Sequence, residues 1–101
     1  MKIFDKATWH IDAGENKDEV IQKFKKVFYY LNTHNLLSKD GKEIIDLNII
    51  DSSISLNSKL LTENAIKFLE IYYDKVIKVD TNDIEMKLDF YYKQFLEDKE
   101  N

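Results

Sequence analysis

Few side chains in this sequence could do chemistry near neutral pH. His10 and His34 are the only histidines, cysteine is absent, and all 15 basic residues are lysines. A metal site would need both imidazoles and a carboxylate such as Asp12, yet the two histidines lie far apart with no ligand-like local spacing. His34 reads more simply as a polar residue at a helix end, favoured by the dipole. His10, beside Trp9, reads as a partly exposed ring. Without cysteine there is no thiolate nucleophile, no Cys-based zinc site and no disulfide framework. Ser38, Ser52, Ser53, Ser55 and Ser58 occupy turn-like stretches, and none stands in a glycine-flanked elbow. The pairs Glu70/Asp74 and Asp80/Asp83 could serve acid/base work, but two acids one helical turn apart usually form a solvated face. Lys67, Lys75 and Lys78 are there to compensate Glu70 and Asp74. Gly14 and Gly41 are isolated, so no phosphate-binding loop can be built. No catalytic, metal-binding or cofactor-binding residue is expected, and the chain is not expected to be an enzyme.

Binding is the remaining class. Lys23, Lys25 and Lys26 lie beside Tyr29 and Tyr30, a pattern able to neutralise phosphates and stack bases. The lack of arginine, the usual bidentate reader of phosphate and guanine, weighs against it. So does the formal net charge of -4. Protein binding fits better. There are 6 tyrosines, a residue favoured at interfaces because it buries area and keeps a hydroxyl. Acids outnumber lysines over residues 61–101, so that half offers an acidic side to a basic partner. Tyr72, Tyr73, Tyr91, Glu70, Asp74 and Asp89 are the candidate contacts. The expected function is a small protein-interaction module, an inhibitor or immunity-like protein for a basic partner. The alternative is a winged-helix-like DNA-binding accessory protein using Lys23, Lys25, Lys26, Tyr29 and Tyr30. Self-association into a homo-oligomer is a third reading.

These residues must be positioned by helices. Proline is absent and there are only 2 glycines, which suits long helices better than a β-rich fold. Hydrophobic residues at 44% argue against disorder. A chain of this mass should fold to an accessible area of roughly 6,000 Å², burying about two-thirds of its unfolded surface. Asn16, with Glu19 three residues on, caps a helix over 17–32 whose stripe is Val20, Ile21, Phe24, Val27, Phe28 and Leu31. Thr62 caps a second over 63–78, with Ala65, Ile66, Leu69, Tyr72, Tyr73 and Val76. Asp80 or Thr81 caps a third, with Ile84, Leu88, Tyr91, Tyr92 and Phe95. The last two are antiparallel neighbours joined by about three residues. Between them and the first, Ser38 or Asp40 caps a short helix over 39–47, which buries Ile44 and Leu47 and ends on a left-handed Asn48. The competing pattern is a β-hairpin over 44–56, and a helical turn covers 56–60. Residues 1–15 form an extended arm or a short helix, with Trp9 sealing one end of the core. Residues 98–101 fray.

The expected fold is therefore all-α: a compact small bundle of three long helices with one or two short ones, in a single domain over 1–101. No stretch approaches 18 apolar residues and the start carries no signal-like run, so the protein is expected to be soluble, cytoplasmic and free of the membrane.

Overall fold

The three apolar stripes fold as long helices. In the computed structural model, which describes residues 1–100, the elements run β1 (Ile3–Lys6), α1 (Ala7–Asp12), α2 (Lys17–Thr33), α3 (Lys39–Asp46), β2 (Ser55–Asn57), α4 (Glu63–Val76) and α5 (Ile84–Glu100). Two 3-10 turns, Ser58–Leu60 and Thr81–Asp83, lead into α4 and α5. The fold is thus mostly helical, with a small two-stranded antiparallel sheet. Its accessible surface is 6223 Å², as the size of the chain dictates. No helix among the described residues is long and apolar enough to cross a membrane.

Helix starts follow their caps. Asn16 Oδ1 accepts the Glu19 amide at 3.0 Å, Ser38 Oγ the Gly41 amide at 3.3 Å, and Thr62 Oγ1 the Ala65 amide at 3.2 Å. Each bond satisfies an amide that the helix itself leaves without a partner. Past the end of α3, Asn48 takes a positive φ of 52°, the left-handed conformation that asparagine tolerates better than most residues.

Phe24, Phe28 and Leu31 of α2, Phe68, Leu69 and Val76 of α4, and Ile84, Leu88 and Phe95 of α5 are all buried, with Leu56 of β2 among them. Phe68 meets Tyr92 and Phe95 at ring separations of 5.3 and 5.6 Å, and Tyr72 stacks on Tyr91 at 5.1 Å. Those pairs run in opposite directions along the two helices, so α4 and α5 are antiparallel. Offset and edge-on ring contacts of this kind add to the area they bury.

The structure corrects several expectations. No hairpin forms within 44–56. That stretch starts inside α3, turns at Asp51, whose carboxylate accepts the Ser53 amide and hydroxyl at 2.8 and 2.6 Å, and becomes strand only at β2. The partner of β2 is β1, with Lys6 opposite Ser55 and an irregularity between Ile3 and Asp5. Residues 1–15 therefore hold both an arm and a helix. Trp9 does not seal the core: it is 53% exposed, with the Lys6 ammonium over its ring. Leu47 is also exposed, because the chain reverses at Asn48 and sends Ile50 into the core instead. The joint between α4 and α5 is longer than expected and includes the Thr81–Asp83 turn. Helix α5 does not fray at 98 but continues to Glu100, and Lys99 ties back to Asn64 Oδ1 at 2.8 Å. Asn101 lies outside the described residues.

Residues 36–38 are laced to residues 59–62. Ser38 donates its amide to the Leu60 carbonyl at 2.9 Å and its hydroxyl to the Lys59 carbonyl at 2.8 Å, while the Thr62 amide donates to Leu36 at 3.0 Å. Gly41 packs against this lacing. A Cβ placed there would overlap the Leu60 carbonyl oxygen and crowd Leu37 Cβ at 3.0 Å. Leu60 is held by its bond to Ser38 and has little freedom to retreat. Helix propensity alone favours Gly41→Ala by about 1 kcal/mol. We expect the clash to win and the variant to be less stable by about 2 kcal/mol. Urea unfolding measures it, and a stabilised variant would refute the close approach.

Candidate functional site

Asp5 is the one charged side chain buried among the described residues, at 4% exposure. A buried carboxylate needs hydrogen bonds and a counter-charge, and its partners explain how the N-terminal segment is placed. The Tyr73 hydroxyl of α4 donates to Asp5 Oδ2 at 2.6 Å. The Lys6 amide donates to Oδ1 at 2.8 Å. His10 Nε2, from α1, lies 2.8 Å from both carboxylate oxygens. On its other side His10 Nδ1 lies 2.8 Å from Glu15 Oε2. An ionised carboxylate only accepts, so donating to both at once takes an N–H on each ring nitrogen, which is the imidazolium form. Its ring packs edge-on against Phe24 of α2 at 6.0 Å.

Burial of itself opposes the charge on His10, but hydrogen bonds and charge from Asp5 and Glu15 outweigh it, and the pKa stands above the ordinary 6.5. Burial first, then the Asp5 charge, raises the Tyr73 phenol well above its ordinary range. The network thus joins a tyrosine hydroxyl and a histidine ring to two carboxyl groups. Among the described residues, no group of three His, Asp or Glu side chains is arranged to hold a metal ion. The two histidines do not meet: His34 caps the far end of α2, against Tyr30 and Tyr92 at 4.3 and 5.3 Å.

Two concave surfaces lie outside the core. A cleft of about 910 Å³ runs between His10, Glu15 and the start of α2 on one side and residues 77–82 on the other. A second, of about 440 Å³, lies between α4 and α5 and is lined by Lys67, Glu70, Ile71, Tyr72, Phe95, Asp98 and Lys99. Ile71, Met86 and Phe90 are each more than half exposed on these two helices.

The residues expected to meet a partner fall into different environments. Tyr73 is buried and held by Asp5, so it is not a surface contact. Tyr72 is also mostly buried, with one face on the half-buried Tyr91. Glu70 and Asp74 are exposed. Asp89 accepts from the Tyr30 hydroxyl at 3.0 Å and pairs with Lys93 at 2.9 Å. Lys93 first and Tyr30 second hold its carboxyl below the usual range. The expected lysine face is largely committed to the fold. Lys23 Nζ donates to the Ile77 carbonyl at 2.8 Å and Lys26 Nζ to the Thr81 carbonyl at 3.3 Å. Tyr30 is half-buried, and burial and Asp89 push its phenol up. Lys25 is half-buried too, and only Tyr29 of this group is exposed.

Sequence reasoning missed the Asp5–His10–Glu15–Tyr73 network entirely. Asp5, His10 and Glu15 recur at steps of five, which matches neither helical nor strand neighbours. Tyr73 comes from a distant element. The one available signal was the unusual pairing of a histidine with acids on either side of it.

No protein-family model matches the chain, and no curated protein and no solved structure matches it either.

A group whose pKa rises on folding holds its proton more tightly in the folded state. The stability His10 contributes is therefore complete below pH 6.5 and disappears as pH climbs past its folded value. Urea midpoints should fall as the pH is raised from that region, and His10→Gln should flatten this part of the profile. Tyr73→Phe should cost about 2 kcal/mol, and Asp5→Ala, which strands a tyrosine hydroxyl and the imidazolium, about 3 kcal/mol. A Tyr73→Phe variant as stable as the parent would show that the buried bond contributes nothing.

Proposed function

We propose that this chain is a protein-interaction module that binds a basic protein in the cytoplasm through the outer face of α4 and α5, as an inhibitor or immunity-like protein would, and that it acts without catalysis. The observation that carries the reading is the set of exposed apolar side chains that these two helices carry. Ile71, Met86 and Phe90 are 59%, 64% and 59% exposed. Single exposed apolar residues are ordinary, whereas neighbouring ones mark interaction surfaces. The Tyr72–Tyr91 stack adjoins Ile71 through the groove between the helices, and Phe90 meets Tyr91 edge-on at 5.2 Å. Met86 stands one turn before Phe90. Rigid aromatic groups of this kind lose little entropy on binding and act as anchors.

Charge supports a basic partner. Residues 61–101 carry more acids than lysines, and Glu70 and Asp74 are exposed beside Ile71 along α4. Such a surface speeds encounter with a positively charged protein more than it adds affinity. Binding without catalysis is supported by the His10 network, in which both ring nitrogens already face carboxylates and no nucleophile takes part. A DNA-binding role is disfavoured, because Lys23 and Lys26 hold backbone carbonyls and no wing forms in 44–56.

Affinity purification from the source cells tests the reading. The parent chain should retain one stoichiometric basic protein. Ile71→Glu with Phe90→Glu should weaken that complex by about 30-fold or more, the scale of losing an aromatic anchor. Lys39→Glu, on α3, should leave it unchanged, and circular dichroism should be the same for all three. Recovery of nucleic acid in place of protein would overturn the proposal, as would a parent chain that light scattering finds only as a homo-oligomer paired through this face.

A further inference from the structure

We propose that His10 is a proton-operated latch: as an imidazolium it pins the turn over residues 13–16, through Glu15, to the buried Asp5 carboxylate, and on losing its proton it releases that turn and opens the adjoining cleft.

The geometry carries the argument. Both ring nitrogens lie 2.8 Å from carboxylate oxygens. An imidazolium can donate to both at once, but neutral imidazole has a single N–H. Deprotonation must leave one nitrogen presenting a lone pair to an anion at hydrogen-bond distance. The two carboxylates are not equivalent in what they can do next. Asp5 is buried and fixed by the Tyr73 hydroxyl and the Lys6 amide, so it keeps the remaining N–H. The Glu15 side chain is 53% exposed and can turn to water. The proton therefore leaves from Nδ1, and the hydrogen bond to Glu15 breaks.

The turn is built to respond. Gly14 holds a φ of 97° and a side chain there would touch nothing within 4 Å, so the loop is unpacked. Backbone bonds also tie it, from Gly14 to Ile11 at 3.0 Å, from Glu15 to His10 at 3.1 Å and from Val20 to Asn16 at 3.0 Å. Glu15 borders the 910 Å³ cleft, so the release of its side chain widens the cleft there. Asn16 also caps α2, which ties the turn to the start of that helix.

Asp5 from β1 and Glu15 from the turn bond the ring, Tyr73 from α4 and the Lys6 amide bond Asp5, and Asp18, Glu19 and Lys23 from α2 with Lys78 and Asp80 from the α4–α5 connection line the cleft that His10 borders. Only Asp5 and Glu15 bond to the ring. Tyr73 stays neutral throughout, because its phenol is raised, and Lys23 is held on the Ile77 carbonyl. The ring is thus the group of this set whose deprotonation breaks the network. Its raised pKa places the release above pH 6.5.

Nuclear magnetic resonance on the labelled chain tests the latch over roughly pH 5 to 9. His10 ring signals should report one midpoint above the ordinary histidine value. The amides of Gly14, Glu15 and Asn16 should shift with that same midpoint, and the hydrogen-exchange protection factor of Glu15 should fall about tenfold across it. In Glu15→Gln the His10 midpoint should drop and the turn amides should stop following it. Should His10→Gln fail to fold, Glu15→Gln still decides, because Glu15 is at the surface. The proposal is overturned if His10 titrates while the turn amides stay still, or if the Glu15→Gln turn opens with the same midpoint as the parent.

Discussion

Asp5 is a charge that the fold has to accommodate. At 4% exposure its carboxylate has almost no water to bond, so every lone pair must be met by protein. The groups that meet it come from different parts of the chain: a tyrosine of α4, the imidazole of α1, and the next amide in its own strand. Satisfying them together requires the β1 irregularity, α1 and α4 to reach one point at once. Helix α1 has no side-chain cap and buries only Ala7, whose amide bonds the Ile54 carbonyl, while Ile11 packs partly buried against the core. Removing one partner costs more than forming the set contributes, because a buried charge or hydroxyl is then left alone. That asymmetry makes the network specific for one arrangement of the N-terminal segment.

Lysine does comparable work between α2 and the α4–α5 connection. The end of a helix leaves carbonyls without partners and carries partial negative charge. Lys23 reaches across from α2 to the Ile77 carbonyl at the end of α4, and Lys26 reaches the Thr81 carbonyl in the turn before α5. A flexible four-carbon stem with three rotatable donors suits this use. The connection between α4 and α5 is thereby anchored to a helix already buried at Phe24, Val27 and Phe28. The same bonds explain why a row of lysines in the sequence does not present a free basic face.

The long helices were legible because their information is local. Stripes through Phe24, Leu69 and Phe95, and the caps Asn16, Ser38 and Thr62, report on neighbours three or four residues away, and all three stripe residues are buried. Asn48 was legible for the same reason. What a side chain meets from a distant element leaves no local trace. Alternation around Ile45–Ile49 and Ile54–Leu56 looked like two strands of a hairpin, yet a strand exists only where an edge finds a partner, and that partner was β1. Tyr72 and Tyr73 looked like partner contacts as well as members of the α4 stripe. Both are buried, because α4 has α5 on one side and Phe4 with Asp5 on the other. Gly41 stood in the sequence only as an isolated glycine, whereas its role is set by the Leu60 carbonyl.

The shared element of the two surfaces is α4, and this decides whether the His10 turn could influence the outer face. Tyr73 touches Asp5, and its neighbour Tyr72 touches Tyr91. Transmission would need α4 to have two packed arrangements that the two sites favour differently. Phe68, Leu69 and Val76 are each at most 1% exposed, and such close packing allows a helix no gradual rotation. Asp5 meanwhile keeps its bond to Tyr73 in either protonation state of His10, so α4 experiences the same contact throughout. The movement is confined to the part of the network that is free to move, the Glu15 turn and the cleft it borders. On the proposed latch, the outer face of α4 and α5 stays constant and the response to pH is confined to the cleft.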